Sequence, residues 1–163
     1  MLNRYLTLAT SEIFAQLGTL DKFLGDGVMA IFGAPLSLPD HASAALSAAV
    51  AMRSHIDDLR RDTGVRVGFG IGLNSGSAIV GNIGSRQFMN YTAIGDVVNV
   101  AARLQAEARA GEILISDTTL RFVADKVQVE ELGSLYVKGR AAPIATYKLL
   151  RLSGEPAAIG SRT

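Results

Sequence analysis

Apolar and polar positions along the chain fall into blocks with two different periods, and the blocks give the element order. Residues 3–17 place Leu6, Ile13, Phe14 and Leu17 at roughly helical spacing, which predicts a helix ending at Gly18. Two apolar runs follow. Leu20, Phe23 and Leu24 lead into Gly25-Asp26-Gly27, and residues 28–32 lead out, the pattern of a β-hairpin. Pro39-Asp40 predicts the start of a second helix with proline in its first turn. Ala42, Ala45, Leu46, Ala49, Met52, Ile56 and Leu59 mark one face of it, and it stops near Gly64.

Residues 65–73 alternate. Val65, Val67, Phe69, Ile71 and Leu73 take one side, and Arg66, Gly68, Gly70 and Gly72 the other. This predicts a strand whose glycine face is approached closely by another element. Asn74-Ser75-Gly76 predicts a turn into residues 77–83 and hence a second hairpin, with a loop at Ser85-Arg86 before residues 88–92. A third helix is expected over residues 96–108, then a short strand over 112–116. Ser116 is placed to cap a short helix reaching Ala124. Residues 127–132, 135–137 and 144–150 read as strands. Helices over a hairpin-rich antiparallel sheet give an α+β domain, assigned to residues 1–152, with a flexible tail over 153–163.

Composition narrows the class. A chain of 163 residues with 48% hydrophobic and 19% charged residues is long and apolar enough for one domain with a real core. A net charge of +1 argues against nucleic-acid binding by bulk electrostatics. The absence of cysteine excludes disulfides and thiol catalysis and fits a reducing, cytoplasmic setting. No run approaches transmembrane length, and the N-terminus lacks a secretory pattern.

Candidate chemistry sits at few places. Asp26 projects from a hairpin tip, where a carboxylate suits a metal ion, although an aspartate also suits such a turn for its own sake. Asn99 and Arg103 lie four residues apart and share one helix face. An amide beside a guanidinium suits a ribose and a phosphate, while solvent alone would also explain a polar stripe. Lys138-Gly139-Arg140 reads either as a phosphate-binding turn or as an ordinary basic one. Gly25-Asp26-Gly27-Val28-Met29-Ala30 matches the dinucleotide-binding glycine pattern, but that pattern needs a following helix and a β-rich run stands here instead. His41 and His55 are too far apart to act as an i, i+4 metal pair and read as surface or helix-end residues.

Taken together, these segments resemble class III adenylate/guanylate cyclase catalytic domains. The resemblance rests on Lys22-Phe23-Leu24-Gly25-Asp26-Gly27-Val28-Met29-Ala30-Ile31-Phe32-Gly33-Ala34-Pro35 and on Tyr91-Thr92-Ala93-Ile94-Gly95-Asp96-Val97-Val98-Asn99-Val100-Ala101-Ala102-Arg103-Leu104. Val137-Lys138-Gly139 sits where that family places a further phosphate-binding lysine, and residues 70–84 resemble its central hairpin. The resemblance implies a ferredoxin-like βαββαβ core working as a head-to-tail dimer with its sites at the interface. By the same token Asp26 is one of two metal carboxylates, and Lys22 and Thr92 select the base. Asn99 and Arg103 orient the ribose and steady the transition state, and Lys138 contacts terminal phosphates. Two divalent ions, Mg²⁺ or Mn²⁺, assist attack of the ribose 3′-oxygen on the α-phosphate. A lysine donating to N1 and a threonine oxygen accepting from N6 favour ATP over GTP, and threonine here is a bacterial-type variant of a position often held by aspartate.

One family feature is absent. Members begin with a central strand of the form F-x-D-x-x-G-F-T, whose aspartate is the other metal carboxylate, and no segment of this chain matches it. The implication is a fragment, a mis-started reading frame or a degenerate member, with a weakened metal pair and exposed strand edges. Two functions are therefore carried forward: an adenylate cyclase, or a cyclase-like partner that lends its residues to a complete subunit in a heterodimer.

Overall fold

The computed structural model describes residues 2–64 and 68–154. Its elements run α1 (Leu2–Ala15), β1 (Thr19–Leu24), β2 (Gly27–Ile31), α2 (His41–Thr63), β3 (Ile71–Leu73), β4 (Ile79–Ser85), β5 (Phe88–Ile94), α3 (Asp96–Glu107), β6 (Ile113–Ser116), α4 (Asp117–Val123), β7 (Val127–Leu135) and β8 (Ile144–Leu152). The α+β expectation holds. No described helix is long and apolar enough to cross a membrane.

Most boundaries follow from local chemistry. Helix α1 closes through Gly18 N–H donating to the Ile13 carbonyl at 2.8 Å, with Leu17 rather than a glycine at positive φ (58°). Helix α2 ends on Gly64 in the left-handed conformation, its N–H on the Arg60 carbonyl, and Pro39 stands just before Asp40 rather than inside the first turn. Ser116 caps α4 by accepting from Thr119 N–H at 3.2 Å.

The strands are arranged in three groups. β1 and β2 form an antiparallel hairpin, β4 and β5 a second one, and the order β3-β6-β8-β7 makes a four-stranded sheet. That sheet is mixed, because β3 runs parallel to β6 while β8 is antiparallel to both of its neighbours. Three expectations change here. The strand expected over 65–73 is reduced to Ile71–Leu73, with Val65, Arg66 and Val67 outside the described residues. It also forms no hairpin with the next run: β3 turns to β6, and residues 79–85 pair with β5. The run expected to break around residue 133 is instead one strand, β7, carried past Gly133 by a bulge.

Layering explains the patterns. Ile113 and Ile115 of β6 face α2 and α4, in a core with Leu46, Ala49, Val50, Val123 and Leu149. Leu114 faces the other way, onto Val100 and Leu104 of α3. A strand covered on both faces is expected to be largely apolar; all four β6 residues are buried, and the one polar member, Ser116, is satisfied as the cap of α4. Helix α1 packs Tyr5, Ala9 and Ile13 against Ala48, Met52 and Ile56 of α2, with Leu20, Val28, Ala30 and Phe32 of the first hairpin below them.

The predicted close approach to the glycine face is present. A Cβ on Gly72 would lie 2.3 Å from the Gln105 nitrogen and 2.5 Å from the Ala101 oxygen. One on Gly70 would lie 2.3 Å from the Ala108 oxygen. Helix α3 therefore rests on the bare backbone of β3.

Candidate active site

Asp26 occupies the tip of the β1–β2 hairpin, beside Gly25 at φ 63°, and is exposed. The buried phenol of Tyr5 is pushed above its ordinary value, first by burial and then by the negative charge of Asp26. Among the described residues no group of three or more His, Cys, Asp or Glu side chains is placed to hold a metal ion. Asp26 thus belongs to no such group, and the described donors do not complete a two-metal centre.

Lys22 and Thr92, seventy residues apart, do meet. The Lys22 ammonium donates to Thr92 Oγ1 at 3.0 Å. The contact joins the first hairpin to β5 and places a donor beside a hydroxyl. Beneath them lies a residue that the sequence reading passed over. Asp21 has a fully buried side chain. Its Oδ2 accepts the Thr92 hydroxyl proton at 2.6 Å and the Ala93 N–H at 3.4 Å, and its Oδ1 lies 3.4 Å from Lys22 Nζ.

Adjacent residues of a regular strand point to opposite faces, so Asp21 and Lys22 should not both reach Thr92. A β-bulge allows it: Leu20 pairs with Ala30 and Lys22 with Met29, which leaves Asp21 as the extra residue. The sequence signal was a charged residue inside an apolar strand run, which marks either an edge or a buried partner.

Asn99 and Arg103 extend from the outer face of α3, opposite buried Val100 and Leu104. They line one groove with Ala102, Ala106, Tyr136, Val137 and Lys138. The loop carrying Lys138 is tied to the start of α3 by Arg140, which donates to Asp96. At the far end of β3, Asn74 donates to the Val97 carbonyl at 3.0 Å and accepts from Ser116 at 2.6 Å, pinning α3 to the four-stranded sheet. Arg103 is held 2.9 Å from Glu107. Neither the Asp96–Arg140 pair nor Tyr136 was anticipated, since both depend on a loop whose path no local pattern dictates.

The predicted residues therefore form three groups: Asp26; Lys22 with Thr92; and Asn99, Arg103 and Lys138. No hydrogen bond or ion pair among the described residues joins one group to another.

Comparison with known proteins gives the family of the chain. The family model for the adenylate and guanylate cyclase catalytic domain matches residues 18–151. The chain belongs to that family. This cyclase domain is 32% identical to "Adenylate cyclase 1" of Rhizobium meliloti over 158 residues, covering 92% of the chain and 24% of that protein. It superimposes on the adenylyl cyclase CyaB from P. aeruginosa with a TM-score of 0.85 at 38% identity, covering 92% of this chain and 80% of that one. It is equally similar to the guanylyl cyclase Cya2, with a TM-score of 0.87 at 34% identity over 96% of this chain and 81% of that one. The cyclase domain spans about a quarter of the length of the curated relatives it matches. Family membership establishes a nucleotide cyclase fold, with adenylyl and guanylyl members alike among its neighbours.

Proposed function

We propose that this domain is adenylate-specific and converts ATP to 3′,5′-cyclic AMP and pyrophosphate. The observation that carries the proposal is the 3.0 Å contact of Lys22 Nζ with Thr92 Oγ1. An ammonium beside a hydroxyl oxygen matches adenine, which offers an acceptor at N1 and donor hydrogens on N6. Guanine carries a hydrogen on N1, so it meets the Lys22 ammonium like against like, and polar mismatches of this kind discriminate strongly.

The remaining groups suit the rest of such a substrate. In the reaction the ribose 3′-oxygen bonds to the α-phosphorus, the bond to the bridging oxygen breaks, and pyrophosphate leaves. The 3′-hydroxyl proton is released to solvent. Asn99 orients the ribose, and the Arg103 guanidinium meets the charge building on the α-phosphate. Lys138 neutralises the departing phosphates. Among the described residues no hydrogen bond or ion pair joins the three groups, which fits a complete site that draws them from two subunits, in a homodimer or in a heterodimer with a full cyclase domain.

A second reading, a partner that contributes residues without turning over substrate on its own, is favoured by the lack, among the described residues, of any group of three or more His, Cys, Asp or Glu side chains placed to hold a metal ion. In that reading Lys22, Thr92, Asn99, Arg103 and Lys138 serve a site whose metal carboxylates belong to the other subunit.

The test is formation of cyclic AMP and cyclic GMP from the two nucleotides with Mn²⁺, by the chain alone and mixed with a complete cyclase domain whose own Lys and Arg equivalents are removed. Cyclic AMP from the chain alone supports the first reading, and activity only in the mixture supports the second. Equal use of GTP in either case rejects adenylate specificity. Substituting Lys22→Glu replaces the donor to N1 with an acceptor for guanine N1–H and is expected to move the preference toward GTP by at least about tenfold.

A further inference from the structure

Thr92 is a poor discriminator by itself. A free hydroxyl rotates, and it can accept from the amino group of adenine or donate to the 6-oxo group of guanine or hypoxanthine with equal ease. Selectivity requires that its one proton be committed elsewhere. Asp21 does this. Its Oδ2 lies 2.6 Å from Thr92 Oγ1, and a carboxylate accepts and does not donate. Lys22 approaches the same oxygen at 3.0 Å and donates without accepting. With a pure acceptor on one side and a pure donor on the other, the proton points to Asp21, one lone pair faces Lys22, and one lone pair is left for a bound base.

We infer that Asp21 is a specificity-determining positioning residue, holding the Thr92 hydroxyl as an acceptor so that position 6 of the purine must carry a donor. The inference rests on the adenylate reading of the site and adds a residue to it that does not touch the substrate. Three further observations fit. The Asp21 side chain is fully buried, so it is unavailable for direct contact with a nucleotide. A bulge in β1 is what turns it inward beside Lys22 rather than away from it. Its Oδ1 has no hydrogen-bond partner, although Lys22 Nζ lies 3.4 Å away. A fold that keeps a buried carboxylate with one oxygen unbonded bears a desolvation cost that simple packing would avoid.

The experiment measures dissociation constants on the full chain for three nucleotides: ATP, purine riboside triphosphate and inosine triphosphate. Purine riboside triphosphate keeps N1 as an acceptor and lacks only the 6-amino group, so its comparison with ATP reads the Thr92 lone pair separately from Lys22. The unmodified chain is expected to prefer ATP over it by about tenfold, the value of one well-placed hydrogen bond. Asp21→Leu keeps similar bulk and removes the acceptor; the freed hydroxyl still accepts from a 6-amino group but now also donates to a 6-oxo group, so that ratio is expected to stay near its unmodified value while the preference for ATP over inosine triphosphate falls about tenfold.

Asp21→Asn removes the charge but keeps an acceptor. Its amide oxygen facing Thr92 and Ala93 satisfies two donors, whereas the reverse orientation satisfies neither, so most of the preference is expected to remain. Thr92→Ser is expected to retain the preference and Thr92→Val to lose it. Asp21→Leu added to Thr92→Val should change the ratio no further.

An unchanged preference for ATP over inosine triphosphate in a folded Asp21→Leu variant overturns the inference and leaves adenylate specificity standing. Equal loss in Asp21→Leu and Asp21→Asn also overturns it, because charge rather than the acceptor would then matter. No preference for ATP in the unmodified chain rejects the adenylate reading and the inference with it. If Asp21→Leu does not fold, the hydroxyl is read directly by NMR of the unmodified chain. A protected Thr92 hydroxyl proton supports the inference, and one in rapid exchange with solvent overturns it.

Discussion

At Arg103 the guanidinium reaches one turn along α3 to Glu107, and both side chains are about half exposed. Exposed i, i+4 pairs contribute little, about 0.3–0.5 kcal/mol, so a substrate phosphate can take the guanidinium from Glu107 at small cost. Arg103→Ala is expected to lower kcat by about 10²–10³-fold with a smaller change in KM, the pattern of a group that acts chiefly in the transition state. Arg103→Lys should recover little, since an ammonium cannot reproduce the planar fork. Glu107→Ala should leave kcat within about threefold, in line with the small worth of the pair it breaks. Steady-state kinetics of the three variants checks all of these.

Tyr5 supports a prediction about pH. Its ring is buried and stacked on Phe69 with centroids 3.6 Å apart, and its folded-state pKa is raised by burial and by Asp26. The unfolded chain then loses this proton at lower pH than the folded one, so stability falls as pH rises. The contribution is intact below the ordinary tyrosine value of about 10 and is lost as pH climbs through the raised value. Denaturant melts from pH 8 to 11 should show this alkaline loss, and Tyr5→Phe should flatten it.

Elements were legible where one physical rule governed them. Helix α2 was set by a proline-aspartate start, a spaced apolar face and Gly64, and it occupies His41–Thr63. The glycine face of residues 68–72 announced a close neighbour, and α3 supplies it. Gly72→Ala drives a Cβ into backbone that cannot rotate aside, and is expected to cost about 1–3 kcal/mol, measurable as a fall in Tm. Pairing was less legible than existence. Residues 79–85 alternate weakly and pair with β5 rather than β3, while β3 makes a parallel contact with β6 that no adjacent turn encodes. The site followed the same division. Lys22 and Thr92 were named from motifs and are in contact, whereas Asp21 was passed over because a bulge, which shifts side-chain facing by one residue, leaves no clear mark in composition.

Across the described residues the strands fall into separate groups, with β2 paired only to β1 and β3 only to β6. Open strand edges are templates for further pairing. The chain is therefore expected to self-associate with concentration or to melt over a broad range, as read by sedimentation and calorimetry. A monomer with one sharp transition at high concentration would refute this.

The seating of α3 on β3 also has a mechanical side. Where side chains separate two elements, a core substitution is absorbed by repacking, and the distance between the elements drifts. Here the spacer is the peptide backbone itself, with the Ala101 oxygen and the Gln105 nitrogen 2.5 and 2.3 Å from where a Gly72 Cβ would stand. The reach of Asn99 and Arg103 is thus gauged by covalent geometry, like a rule with fixed divisions. Sequence drift elsewhere in the core can soften the domain long before it moves those two side chains out of alignment.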